Sequence, residues 1–171
     1  SAGKTRRTPI IDQLARDGMP FSRAFAPAGM CAPSRCSIQT GQTTARTRFS
    51  GNGYFGAISR EIVYDGRRNA GRLMLEPSPI GSLDKNAQTI GKILKPLGYA
   101  TAHLGKWHIY ADGPGANGYD VHDGDTSNDD GNSDDPQDPK NIFSMTAKAI
   151  TFIKDQTAAQ KPFFIQVSHY A

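Results

Sequence analysis

Ile90-Gly91-Lys92-Ile93-Leu94-Lys95-Pro96-Leu97-Gly98-Tyr99-Ala100-Thr101-Ala102-His103-Leu104 carries two periods, and together they decide the architecture. Ile90, Ile93, Leu94 and Leu97 fall at i, i+3, i+4 and i+7, the apolar stripe of an amphipathic helix that begins near Ala87. Pro96 weakens its last turn, Gly98 ends it, and Tyr99 to Leu104 follows as a short strand. The same order returns downstream. Ile142, Met145, Ala149, Phe152 and Ile153 line one face of a second helix, and Pro162 to Ser168 reads as a buried strand. Helix-then-strand units repeated in this way predict an α/β layer fold with a largely parallel central sheet. In such sheets functional groups collect beyond the carboxyl ends of the strands.

Nearer the amino terminus, Thr8 to Gly18 predicts a short helix with Thr8 as N-cap, Pro9 at its first position and Gly18 as its stop. Met19 to Ala26 reads as a strand, turned by Pro27-Ala28-Gly29 toward Cys31. Pro33 to Thr40 follows as a second short helix closed by Gly41. Cys31, Lys106 and His169 therefore all stand just beyond predicted strands. Residues 42–82 lack a clear period and are rich in Gly and Arg. They read as a long irregular excursion with one strand near Glu61–Tyr64. No internal repeat is present, and residues 1–171 are taken as one unit.

The 171 residues suffice for one domain, and 18 Gly with 11 Pro predict abundant loops. No apolar run approaches the roughly 20 residues that cross a bilayer. The net charge of +4 hides an asymmetry: residues 1–72 carry 12 Lys/Arg against 4 Asp/Glu, while residues 120–138 hold 8 Asp and no Lys or Arg. The arginines are scattered and have no aromatic residues interleaved, so the basic half does not read as a nucleic-acid platform. An anionic small molecule or polysaccharide suits it better. Cys31 and Cys36 do not share a helical face, no CxxC pair exists, and no His stands at zinc spacing from Cys31.

Two clusters carry chemistry. Cys31-Ala32-Pro33-Ser34-Arg35 puts a reactive atom at a helix start, where unpaired N–H groups and the helix dipole favour an anion, with a permanent cation one turn further on. A thiol phosphatase would need Arg six places after the cysteine, and position 37 is Ser. In Gly105-Lys106-Trp107-His108, Lys106 and His108 leave a strand on the same side, so ammonium and imidazole can face one anion. His103, within the strand, reads as structural. Gly118-Tyr119-Asp120 leads into the acidic loop 120–139. Its Asp123 to Gly131 stretch fails as an EF-hand, because a glycine in sixth place makes Thr126 the first ligand and no Glu closes the loop. It reads as a solvated, flexible segment.

The run from Met30 to Gly41 resembles the signature of the type I sulfatases, and Gly98 to His108 is similar to their second signature. The resemblance implies an alkaline-phosphatase-like α/β sandwich, incomplete in this chain. It implies that Cys31 is converted to formylglycine by a formylglycine-generating enzyme. One hydroxyl of the aldehyde hydrate would attack sulfur, and the other would expel sulfate from the covalent intermediate. On the same basis Cys31, Arg35, Lys106 and His108 are catalytic, and Lys106, His108, Ser127 and His169 bind substrate. In relatives with Ser-His-Tyr-Ala, the substrate-binding histidine stands a few residues later than His169. The family binds a divalent cation, usually Ca2+, for which Cys31 would be the one ligand carried here. The paired aspartates of the family's first strand, and its later Asp, Asn and Lys residues, have no counterpart. The chain thus reads as an internal fragment, inactive and marginally folded alone. The substrate would be a sulfated small molecule or polysaccharide, and the location periplasmic or secreted. Phosphonate and phosphate ester hydrolases share Cys-x-Pro-x-Arg. A non-catalytic polyanion-binding module with a vestigial motif is the third reading.

Overall fold

In the computed structural model, which describes residues 7–49 and 80–170, β1 (Ala100–Gly105) lies between β2 (Val121–His122) and β3 (Phe163–Ser168). Both neighbours run parallel to it, in the order β2-β1-β3. All six β1 residues are buried, since both edges are paired and both faces covered. Ala100, Ala102 and Leu104 face α6 (Ile142–Ala158), whose Met145, Ala149 and Phe152 fill that side. Thr101 and His103 face the other way and are polar, yet the fold accommodates both. The Thr101 hydroxyl donates to Gly118 O at 2.7 Å, and His103 packs edge-on against Trp107 and Tyr119, with ring centroids 5.0 and 5.5 Å away.

The β1–β3 register runs from Ala100 opposite Phe163 to Gly105 opposite Ser168, so both strands end level. Lys106 and His169 consequently leave the sheet at the same height. Over this end sits α2 (Cys31–Thr40), closed by Gly41 in the left-handed conformation at φ 66°. Its Ala32 and Cys36 pack with Phe49, Leu83, Trp107 and Ile109. Burial of each large apolar side chain there contributes about 1.5–3 kcal/mol. A buried polar chain fixes the helix further. The Tyr119 hydroxyl donates to Gln39 Oε1 at 2.7 Å, and Gln39 Nε2 donates to Gln166 Oε1 on β3 at 2.8 Å.

The parallel sheet, both strands and the Met145 face of α6 match the sequence expectation. Several elements differ. Residues 19–26 form no strand, and Met19, Phe21 and Phe25 are 77–87% exposed, with no neighbouring ladder among the described residues. Cys31 therefore follows a turn and not a strand, and α2 begins at Cys31 itself, two residues before the expected start. α1 (Pro9–Asp17) forms as predicted but buries none of its residues, and the Thr8 hydroxyl donates to Asp12 Oδ1 instead of capping backbone. Beyond α2, the four-residue α3 (Thr44–Thr47) is capped by the Thr43 side chain. The strand expected near Glu61–Tyr64 lies outside the described residues.

The stripe of α4 (Ile90–Leu94), continued as a 3-10 turn to Leu97, packs only in part: Ile90 and Leu94 are half-buried, while Ile93 and Leu97 stay 50% and 66% exposed. The helix docks through Gly91, where a Cβ would come within 2.6 Å of Asn117 O at the end of the short α5 (Gly113–Ala116), so the two backbones touch directly. The acidic loop is not merely solvated. Asp123 accepts the Gly105 N–H at 2.8 Å and pairs with Lys148, while Asp138 accepts the Phe143 and Ser144 N–H groups at 3.1 and 2.9 Å. The latter two bonds satisfy free N–H groups in the first turn of α6. No helix among the described residues is long and apolar enough to cross a membrane.

His103 makes the fold acid-sensitive. Burial first, and the nearby Arg35 charge second, lower its pKa from 6.5 to about 4. An unfolded chain takes up this proton below pH 6.5, and the folded one only near pH 4. The stabilisation is therefore complete above pH 6.5 and is lost as pH falls to about 4, by roughly 3 kcal/mol at most. Thermal unfolding across that window is expected to show a falling melting temperature, with a flatter slope in His103→Phe. Equal slopes in the two proteins would contradict this account.

Candidate active site

Cys31 is the first residue of α2, half-buried, with its Sγ 3.4 Å from His108 Nδ1. The two residues are 77 apart in sequence. Arg35, one helical turn on, donates from Nη1 to the Lys106 carbonyl oxygen, which ties α2 to the end of β1. Its buried Nε has no hydrogen-bond partner among the described residues, so one donor on this guanidinium is uncommitted. Burial lowers the Arg35 pKa while Cys31 raises it, and at neutral pH the group remains cationic.

Lys106 is the first residue beyond β1 and is 6% exposed. Its backbone N–H donates to Ser168 O at 2.9 Å, continuing the β1–β3 ladder by one bond. Its ammonium donates to Asn128 Oδ1, a neutral acceptor. The described ion pairs join Lys85 to Asp112, Lys95 to Asp120 and Lys148 to Asp123, and involve neither Arg35 nor Lys106. A buried ammonium without a carboxylate is a site that an anion would complete.

Trp107 turns to the opposite side, into the core cluster, with its indole N–H donating to Tyr110 O at 2.7 Å. The chain then enters the left-handed region at His108 (φ 60°), Tyr110, Ala111 and Asp112. Such a conformation costs non-glycine residues free energy and persists only where surroundings enforce it. At His108 the enforcement is the N–H bond to Thr126 O at 2.8 Å. Burial, followed by the Lys106 and Arg35 charges, pushes the His108 pKa below its ordinary value. The imidazole beside Cys31 is thus neutral near pH 7 and able to accept a proton.

The structure brings Cys31, Arg35, Lys106 and His108 together. Of the other two candidates, one is hydrogen-bonded to Asp130 and the other is exposed. Ser127 spends its hydroxyl and its N–H on Asp130 Oδ2, at 2.9 and 2.6 Å. His169 is exposed one residue beyond β3. The residues flanking Ser127, Thr126 and Asn128, are the ones that touch the site, and nothing in the sequence pattern distinguished them. Around Cys31 the groups are hydrogen-bond donors or a neutral imidazole. Among the described residues no three His, Cys, Asp or Glu side chains are grouped to hold a metal. Ca2+ takes six to eight oxygen ligands. The residues described here fit an anion and not a calcium cage.

The family model described as Sulfatase matches residues 1–171. The chain belongs to the sulfatase family. It is 36% identical over 106 residues to steryl-sulfatase of Mus musculus, covering 62% of this chain and 14% of the relative. It is 38% identical over 105 residues to arylsulfatase D of Homo sapiens, covering 61% and 15%. With arylsulfatase G of Rattus norvegicus it shares 32% over 137 residues, covering 78% and 22%. This sulfatase chain therefore spans less than a quarter of the length of those relatives. Among solved structures, a protein from work on glycosaminoglycan metabolism by Bacteroides thetaiotaomicron superposes with a TM-score of 0.66 at 20% identity. That match covers 96% of this chain and 37% of the other. The yidJ structure from Bacteroides fragilis gives 0.64 at 20%, covering 94% and 37%. The fold is accordingly part of the alkaline-phosphatase-like α/β architecture of sulfatases. Calcium and formylglycine are general features of the family.

Proposed function

We propose that this chain carries the nucleophile half of a catalytic centre that hydrolyses sulfate esters. The observation that carries the reading is that His108 and Arg35 lie against position 31, with the Lys106 charge close enough to act on His108. In this reading a formylglycine-generating enzyme oxidises Cys31, and the Sγ position stands for one hydroxyl oxygen of the resulting hydrate. That oxygen attacks the sulfur, the ester S–O bond breaks, and the alcohol leaves with a proton. His108 takes the proton of the second hydroxyl. The electron pair left on that second oxygen re-forms the carbonyl and breaks the bond from carbon to the sulfate oxygen, so sulfate leaves, and water then adds to the aldehyde to restore the hydrate.

Arg35 contributes its uncommitted Nε–H to the diol or to sulfate, and Lys106 neutralises sulfate charge during transfer. The described residues make no calcium cage, and no step here is routed through Ca2+. Ser127 and His169 enter the reading only as neighbours of the site. The substrate is a sulfated small molecule or polysaccharide, and the compartment is the periplasm or the exterior.

The test is the mass of the tryptic peptide Ala24–Arg35 after co-expression with a formylglycine-generating enzyme, together with turnover of an aryl sulfate and an aryl phosphonate by the full-length protein. An aldehyde at position 31 and preference for the sulfate are expected. A retained thiol under those conditions, with no sulfate released, rejects the reading.

A further inference from the structure

The backbone from Gly105 to His108 holds both Lys106 and His108, and its hydrogen bonds can be followed group by group. Gly105 N–H goes to Asp123 Oδ2, Lys106 N–H to Ser168 O, and Lys106 O accepts from Arg35. The three other bonds all go to one residue. The Thr126 hydroxyl donates to Gly105 O at 2.7 Å and accepts from Trp107 N–H at 3.1 Å, and the Thr126 carbonyl accepts from His108 N–H at 2.8 Å. One side-chain oxygen thus serves as donor and as acceptor, the full capacity of a hydroxyl and one that no carboxylate or apolar group offers.

We propose that Thr126 is the positioning residue of the catalytic turn. It holds the left-handed His108 backbone so that the imidazole faces position 31, and acts through His108 without touching substrate. The inference rests on the sulfate ester reading for its catalytic consequence, but its geometric part stands apart from that reading. The physical case is that His108 at φ 60° is strained and would relax to an ordinary conformation once its N–H lost a fixed acceptor. Relaxation would swing the ring away from the Cys31 position. Thr126 is able to hold it because its own hydroxyl is anchored on both sides of Lys106, at Gly105 O and Trp107 N. The acidic loop therefore places a clamp over the end of β1, and its charge is incidental to that task.

The experiment compares Thr126→Val, which keeps the shape and removes the hydroxyl, with Thr126→Ser, which keeps the hydroxyl. Kinetics on an aryl sulfate are measured well below the unfolding temperature and normalised to the aldehyde content of each variant. Crystal structures of both variants are solved beside them. For Thr126→Val a kcat about 10–100-fold lower with little change in KM is expected, and Thr126→Ser is expected to recover it to within a few-fold. The ring of His108 should lie farther from residue 31 in the valine variant only. Wild-type kcat in Thr126→Val, failure of Thr126→Ser to recover activity, or an unmoved His108 overturns the proposal. Should Thr126→Val not fold, Thr126→Ala reads the same loss, and normal kcat there overturns it equally. These kinetics use the full-length protein, and if its wild-type form releases no sulfate, the functional reading fails by itself. The position of His108 in the variants then still decides the role of Thr126.

Discussion

Cys31→Ser is expected to accept one sulfo group and keep it. The serine hydroxyl would occupy the place of Sγ, 3.4 Å from the His108 Nδ1 that can take its proton, so attack on a sulfate ester remains feasible. Release is the step that fails. A serine bears a single oxygen on its β-carbon, so once that oxygen is bonded to sulfur no neighbouring hydroxyl remains to expel it. The variant should liberate about one equivalent of alcohol and then stop, and its Ala24–Arg35 peptide should gain the mass of one sulfo group. Cys31→Ala lacks the oxygen and should release none. Both should lose at least about 10³-fold in steady-state kcat, the scale seen when a covalent nucleophile is removed. Sustained turnover by Cys31→Ser would show that position 31 does not work through a two-hydroxyl carbon. The proposed chemistry would then be wrong even with the geometry intact.

Much of this centre was legible because it is written locally. The period-2 and period-3.6 stretches over 90–104 and 142–168 announced β1, β3 and α6, and the spacing of Lys106 and His108 around Trp107 put them on one side of a strand exit. The meeting of Cys31 with His108, 77 residues apart, was reachable only through resemblance, since no local period connects them. What stayed hidden was of two kinds. Met19 to Ala26 has strand-like composition, but a strand needs a partner and its side chains meet none among the described residues. Thr126 and Asn128 act through a single oxygen each, from a loop whose conspicuous property is its eight aspartates. Composition pointed to charge there, while the structure uses hydrogen-bonding geometry. The Ile90–Leu97 stripe told only half of the packing for a related reason. α4 is held by the backbone contact at Gly91, and a glycine contributes nothing to a hydrophobic pattern.

Gly105→Ala is expected to cost about 3 kcal/mol or more and to disable the site, whereas Gly98→Ala should cost about 1 kcal/mol. The two glycines share nearly the same left-handed backbone, φ 84° and 85°, so conformational strain from a Cβ is common to both. They differ in what the Cβ would meet. At Gly98 nothing lies within 4 Å. At Gly105 it would stand 2.2 Å from Ser168 O and 2.8 Å from the Met145 Cε. Met145 can rotate; Ser168 O is backbone, and it is also the acceptor of the Lys106 N–H. Relief therefore requires β1 and β3 to part at their last paired position, which removes Lys106 from its ladder bond and loosens the carbonyl that Arg35 grips. Denaturant unfolding of the two variants separates strain from collision, because only the collision is absent at Gly98. Met145→Ala in the Gly105→Ala background should recover little, as the backbone oxygen remains. Equal losses at the two glycines would mean that the β1–β3 junction yields freely, and that the placement of Lys106 does not depend on it.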